Sequence, residues 1–282
     1  MKETPATKGG SLILTPHPRP LLLRLAPPRL RLFLYYRFFR EKTKRPDFFR
    51  DAPLDFAPSL RMDLFEGDEG HGQIAFNGFY ELKLSRHLRL LAKQGGLLVD
   101  VGANYGYFSL IWAAQNAQNR VIAYEASPRN QPALHINITK NCLSDSITVK
   151  PLAAGKKAGV LGFHLGPEEQ TGWGGLAFEG PNEKMVDVPV VRLDEELAGE
   201  KSIAVLKIDT EGADTWVLEG AEKLFCNKKV RHIFFEEHKG RMVKLGIQPG
   251  SAANFLIDCG YTVVRMNGGD QSQVCEYHAF VR

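Results

Sequence analysis

The sequence predicts an α/β chain built on a doubly wound, mostly parallel seven-stranded sheet with helices on both faces. Three observations carry that prediction. Short apolar runs alternate with helically spaced ones from residue 79 to the C terminus. The first of these runs, 97–101, is closed by a glycine turn that opens a helix. The chain has 282 residues and is 44% hydrophobic, enough to bury a full-sized core.

The chain begins with a basic arm. Residues 1–50 hold 12 Lys and Arg against 3 Asp and Glu, a charge of +9, whereas the remainder carries −5. The stretch 21–39 (LLLRLAPPRLRLFLYYRFF) is apolar, but Arg24, Arg29, Arg31, Arg37 and the Pro27-Pro28 pair interrupt it. Those charges and breakers exclude a membrane span. No small-residue cleavage site follows a clean apolar run, so no secretory signal is expected. Two readings of the arm stay open: a poorly ordered or body-packed tail, or a segment in peripheral contact with an anionic membrane or partner. Residues 1–60 are therefore read as the arm and 61–282 as one folded domain.

Within that domain, 79–93 carries Leu82, Leu84, Leu88 and Leu91 near helical spacing and stops at Gly95-Gly96. The run 97–101 is fully apolar apart from Asp100, as suits a buried parallel strand. Phe108, Ile111 and Trp112 continue as a helix, 121–124 forms a second strand, and Pro128 opens a helix running to Asn141. A third strand covers 147–152. Residues 155–192 break the rhythm, being glycine-rich and alternating, and predict a β-hairpin insertion with a mobile loop at 170–175. Regularity returns with strands at 203–208 and 231–235 around a helix, then a helix at 249–259. Strands 261–266 and 274–281 close the chain as an antiparallel hairpin across Asn267-Gly268-Gly269-Asp270.

In such a sheet, ligands bind at the carboxyl ends of the strands where the strand order reverses. The turn there reads Gly102-Ala103-Asn104-Tyr105-Gly106, which lacks the third glycine of a dinucleotide fingerprint. Asp100 lies two residues before it. A carboxylate repels a pyrophosphate but suits a ligand bearing an ammonium and a sulfonium, while the helix start can receive that ligand's own carboxylate. S-adenosylmethionine carries all three charges and no phosphate. Glu125, beyond the second strand, is spaced to accept both ribose hydroxyls of an adenosine, and it argues against a 2′-phosphate. The bland readings are that Asp100 caps local amides and Glu125 neighbours a helix cap.

The segments "VDVGANYGYFSL", "YEASP", "LKIDTEGADTWVLEGA" and "FFEEH" resemble successive signatures of the FkbM-type family of S-adenosylmethionine-dependent methyltransferases. The resemblance covers residues 72–240 and is most specific in "KIDTEGA…VLEGA". It implies a Rossmann-like class I methyltransferase sheet and methyl transfer to oxygen, often on sugars or hydroxylated natural products. It assigns Asp100, Gly102, Ala103, Asn104 and Gly106 to the cofactor turn and Glu125 with Ala126 to the ribose. It also places Asp209 facing the transferred methyl and makes Glu81 a cofactor-site candidate.

A hydroxyl acceptor needs a base. Asp209, Glu211 and His238 are the candidate catalytic residues, with Glu236 and Glu237 beside them at neighbouring strand ends. Crowded carboxylates raise one another's pKa. Plainer roles remain open: helix capping for Asp209 and Glu211, pairing of Lys207 with one of the acids, a surface position for His238. Trp173 is the better acceptor-site aromatic; Trp216 reads as core. No Cys/His cluster has metal-ligand spacing, and no metal is expected, although Asp209, Glu211 and Glu236 are oxygen donors of the kind Mg²⁺ or Ca²⁺ takes. The four scattered cysteines read as free thiols of a reducing, cytoplasmic compartment. The expected partner is a small-molecule or glycan acceptor. The body shows no basic stripe for specific nucleic-acid binding. The competing readings are an NAD-dependent oxidoreductase and a non-catalytic scaffold docked by its arm.

Overall fold

The computed structural model describes residues 19–40, 46–176, 184–269 and 271–281. The central sheet has seven strands: β1 (Leu97–Val101), β2 (Arg120–Tyr124), β3 (Ile147–Lys150), β4 (Ile203–Ile208), β5 (Val230–His238), β6 (Thr262–Asn267) and β7 (Val274–Phe280). Their spatial order is β6-β7-β5-β4-β1-β2-β3. Strands β1 to β5 pair in parallel, and β7 inserts antiparallel between β5 and β6. The chain winds outward from β1 through β2 to β3, then returns to lay β4 on the other side of β1. The strand order therefore reverses between β1 and β4, which fixes where a ligand crevice forms.

Helices cover both faces, as the continuous apolar strands require. On one face, Leu88 of helix Leu82–Ala92, Phe108, Ile111 and Trp112 of helix Tyr107–Ala114, and Leu134 of helix Gln131–Lys140 pack with Leu98, Val121 and Ala123. On the other, Val217, Leu224 and Leu256 pack against Val99, Val101, Leu206 and Ile208. The hairpin Ala52–Leu54/Ala57–Met62, where the sequence suggested only arm, buries Leu54 and Met62 in the first layer.

Several sequence boundaries move. Helix Gln131–Lys140 begins three residues after Pro128 and takes Pro132 in its first turn instead. The fifth strand continues through Glu236, Glu237 and His238, because β7 supplies partners for all three. The insertion is a separate four-stranded sheet in which Gly159–His164 and Met185–Val191 pair antiparallel, flanked by Ala153–Ala154 and Gly175–Leu176. The hairpin turn residue Asp270 lies outside the described residues, as do residues 1–18 and 41–45 of the arm. No helix among the described residues is long and apolar enough to cross a membrane.

Candidate functional site

The turn after β1 is built by close approach. A Cβ on Gly102, whose φ is +79°, would stand 1.9 Å from the Asp209 carbonyl oxygen, so only glycine fits where β1 and β4 end side by side. Asn104 takes φ +50° and gives its backbone N–H to Glu125 Oε2 at 2.6 Å. Gly106 serves packing: its Cβ would lie 2.6 Å from Leu134 Cδ1.

Around this turn the strand ends enclose one cleft with connected rooms. The first, about 620 Å³, is walled by Gly102, Asn104, Tyr124, Glu125, Ala126, Asn130, Phe163, Thr171 and Asp209, among others. The second, about 960 Å³, is walled by Asp68, His71, Tyr80, Ala103, Tyr107, Phe108, Trp173, Lys207 and Glu236. Gly102, Asn104, Gly172, Asp209 and Glu211 line both. A smaller recess of about 330 Å³ holds Glu81 and Glu276 and shares Lys207, Asp209 and Glu236. Asp209 is thus common to all three. Of the six non-glycine residues with positive φ among the described residues, three line this cleft: Glu81, Asn104 and Glu211. Strained backbone of this kind persists where the surroundings over-determine it, and it concentrates at functional sites.

The structure moves two sequence-predicted residues out of the cleft. Asp100 is fully buried beneath the turn, not at its mouth. The parallel register sets Lys207 beside it, with Nζ 3.4 Å from Asp100 Oδ1, 3.4 Å from Asp209 Oδ2 and donating to the Gly102 carbonyl at 3.1 Å. Ser109 Oγ donates to Asp100 Oδ2 at 2.7 Å. Asp100 therefore meets Lys207 beneath the turn and lines none of the three rooms, and the acids that face the cleft are others. His238 caps helix Lys239–Lys244, its Nδ1 accepting the Arg241 N–H at 3.4 Å, and it lines none of the three rooms. Glu237 points to the opposite side of β5 and accepts the Gly250 N–H.

Burial and mutual repulsion set the protonation of the remaining acids. Burial, with Asp209 beside it, pushes Glu81 up to about 8. The same two causes raise Glu211 to about 8, against the pull of Arg241, whose Nη1 lies 2.6 Å from its carboxylate. Glu236 rises to about 10 through burial and the nearby Asp209, Asp214 and Glu211. Burial lifts Glu125 to about 7 despite hydrogen bonds from Ser127, Asn104 and Asn130. For Lys207 burial works downward, but Asp209 and Asp100 outweigh it and hold the ammonium above its ordinary range. Carboxyls raised in the fold stabilise it below their ordinary pKa, and that contribution is lost as pH rises through their folded values. A cation brought into the cleft opposes that loss.

The loop 165–174, which includes most of the segment 170–175 expected to be mobile, is a strap pinned across the cleft. Thr171 donates its N–H and Oγ1–H to Asp68 Oδ2 at 2.7 and 3.0 Å, and its carbonyl accepts from Asn130 at 2.9 Å. Arg129 donates to the carbonyls of Leu165, Pro167 and Gln170. These buried bonds follow from the insertion folding back over the turn, which no local pattern encodes. Asp68 was missed because the helix it caps, Glu69–Asn77, shows its first apolar residue, Ile74, only six positions on; Asp68 accepts the His71 N–H at 2.8 Å. Trp173 lines the second room half-exposed, and Trp216 packs partly buried against the insertion. Among the described residues, no group of three or more His, Cys, Asp or Glu is arranged to hold a metal ion.

Comparison with known proteins follows this geometry. A family model described as the methyltransferase FkbM domain matches residues 100–263, more than half of the chain. The chain is 27% identical over 198 residues to methyltransferase sdnD of Sordaria araneosa, covering 60% of this chain and 74% of that protein. A crystal structure of methyltransferase FkbM from Methylobacillus flagellatus superposes with a TM-score of 0.47 at 16% identity, covering 66% of this chain. This chain spans 44% of that structure's length, less than half. An O-methyltransferase from Bacillus cereus, in complex with SAH, gives a TM-score of 0.38 at 12% identity over 72% of this chain and 83% of its own.

Proposed function

The chain belongs to the FkbM methyltransferase domain family, and from that premise we propose that it moves a methyl group from S-adenosylmethionine to a hydroxyl oxygen of a sugar, glycan or secondary metabolite. The observation that carries the cofactor assignment is the charge of the first room. Among the described residues its walls hold the carboxyl groups of Glu125, Asp209 and Glu211 and no Lys, Arg or His. A dinucleotide would bring a pyrophosphate into that field, so the oxidoreductase reading is disfavoured. The polar groups of the room suit an adenosine. Glu125 follows β2 with a lone pair to spare on Oε2, and Tyr124 Oη and Asn130 Oδ1 are buried without partners.

When bound, S-adenosylmethionine supplies a methyl group made electrophilic by the sulfonium. The residues of the chain do the rest. Glu125 accepts the ribose hydroxyls, and the N-terminal turn of helix Tyr107–Ala114 faces the ligand carboxylate with its free N–H groups. Asp209 and Glu81 stand opposite the positive charges, with Lys207 fixing the orientation of Asp209. The aromatic walls of the second room, Tyr80, Tyr107 and Trp173, give an acceptor a flat surface to stack on. Methyl transfer to an acceptor oxygen would release the hydroxyl proton, and an ionised carboxylate of the Asp209, Glu211, Glu236 group would take it. Glu211 and Glu236, raised to about 8 and about 10, can take it only as pH climbs toward those values and their carboxyls ionise.

Glu125→Ala tests this reading. Loss of charge-assisted bonds to the ribose should weaken binding of S-adenosylhomocysteine by about 10- to 100-fold, with turnover at saturating donor changed less. Labelled methyl transferred to hydroxylated acceptors should survive mild base, as an ether does. Unchanged affinity in the variant would remove Glu125 from the cofactor site; a label released by base would mark a carboxyl acceptor instead.

A further inference from the structure

The described part of the arm is folded inside out. Helix Leu21–Leu25 buries none of its residues, and in helix Pro28–Leu34 the one buried residue is Arg31. Arg31 pairs with Asp55, reaches the Asn77 carbonyl and lies over the Phe79 ring, while Arg19 pairs with the same Asp55 at 2.9 Å. Tyr35 is buried beside Gly72, where an added Cβ would stand 2.6 Å from its hydroxyl. The segment is therefore clamped to the body through arginines, a tyrosine, Leu32 and Phe39, while Leu21, Leu22, Leu25, Leu30 and Phe33 face outward. Leu22 is 85% exposed, Leu25 73%, Leu21 62% and Phe33 60%. Of the nineteen large hydrophobic residues exposed among the described residues, eight lie between 21 and 39.

A helix that packs its charge inward and shows its leucines is at odds with water on its outer side. Charge identifies the occupant. Residues 19–40 contain six arginines and no acid, and Arg24, Arg29, Arg37 and Arg40 are exposed among the apolar side chains. In a two-fold dimer the patch would meet itself and set arginine against arginine. An anionic bilayer supplies acyl chains for the leucines and headgroups for the arginines together. We propose that the outer face of residues 21–39 seats on an anionic lipid bilayer as an interfacial anchor. The same segment leans on helix Glu69–Asn77 through Tyr35 and the Arg40–Glu69 pair at 2.8 Å. The first turns of that helix wall the second room.

Flotation of the full chain with lipid vesicles tests the proposal. The protein should partition onto vesicles of equal parts phosphatidylcholine and phosphatidylglycerol at least about tenfold better than onto phosphatidylcholine alone, and raised salt should weaken this binding. Leu22→Glu with Phe33→Glu should lose about tenfold of it while S-adenosylhomocysteine affinity stays as in the parent chain. Absence of flotation overturns the proposal, as does flotation that the double variant leaves intact. A dimer by light scattering that the same variant converts to monomer assigns the face to a second copy and overturns it equally.

Discussion

Replacing Lys207 by Met should cost the folded chain about 3–5 kcal/mol, the largest loss expected of any single change at the site. The ammonium is buried with its charge intact, and among the described residues it is the one cation paired with Asp100, itself fully buried. Methionine has nearly the same length and removes the ammonium, with its charge and its hydrogen bond to the Gly102 carbonyl. Asp100 would then keep Ser109 Oγ as its partner, in a medium that cannot solvate a carboxylate. The double variant Lys207→Met, Asp100→Leu separates this cause from packing. Removing both charges should recover most of the stability, since a buried pair replaced by apolar groups is often close to neutral. Urea denaturation of Lys207→Met, Asp100→Leu and the double variant checks the cycle. A Lys207→Met midpoint at the parent value would mean that the pair holds nothing.

Asp209→Asn should act on turnover instead. Asp209 borders every room of the cleft, a third of its side chain is exposed, and Lys207 fixes its Oδ2. The amide keeps the shape but loses the charge that opposes the sulfonium and drives proton uptake from the acceptor. A loss of about 10²- to 10⁴-fold in kcat/KM is expected, with the melting temperature within a few degrees of the parent. Glu211→Gln should be milder, because Arg241 already engages that carboxylate. Full turnover in Asp209→Asn would exclude the residue from the chemistry.

The sheet was legible because its signals are local. An apolar run closed by glycine, helical spacing after it, and acids at strand ends each occupy a few neighbouring residues, and the seven strands and terminal hairpin follow from them. The direction of side chains was less accessible. Asp100 read as a mouth residue because its partner lies 107 positions away, and only the register that seats Lys207 beside it puts the charge underground. His238 read as a strand-end base because β5 was ended at 235; pairing with β7 extends the strand and leaves the imidazole to cap the next helix. The strap over the cleft depends on Asp68 and Thr171, 103 residues apart. Composition showed that the arm was basic and apolar, but its inverted burial needed the fold.

If the ligand of this cleft is a phosphate-free cation, the acids that face it, Asp209 together with Glu81 and Glu211 as these ionise, take the part that the buried Asp100 does not. Calorimetric titration of the chain with S-adenosylmethionine and S-adenosylhomocysteine across neutral to alkaline pH addresses this directly. Glu81 and Glu211 ionise near pH 8, and a cationic ligand favours their charged forms, so binding should release protons and tighten as pH rises to that value. The donor, with its sulfonium, should gain more than the product, whose sulfur is neutral. Binding of neither, or binding that weakens as these carboxyls ionise, would contradict the account.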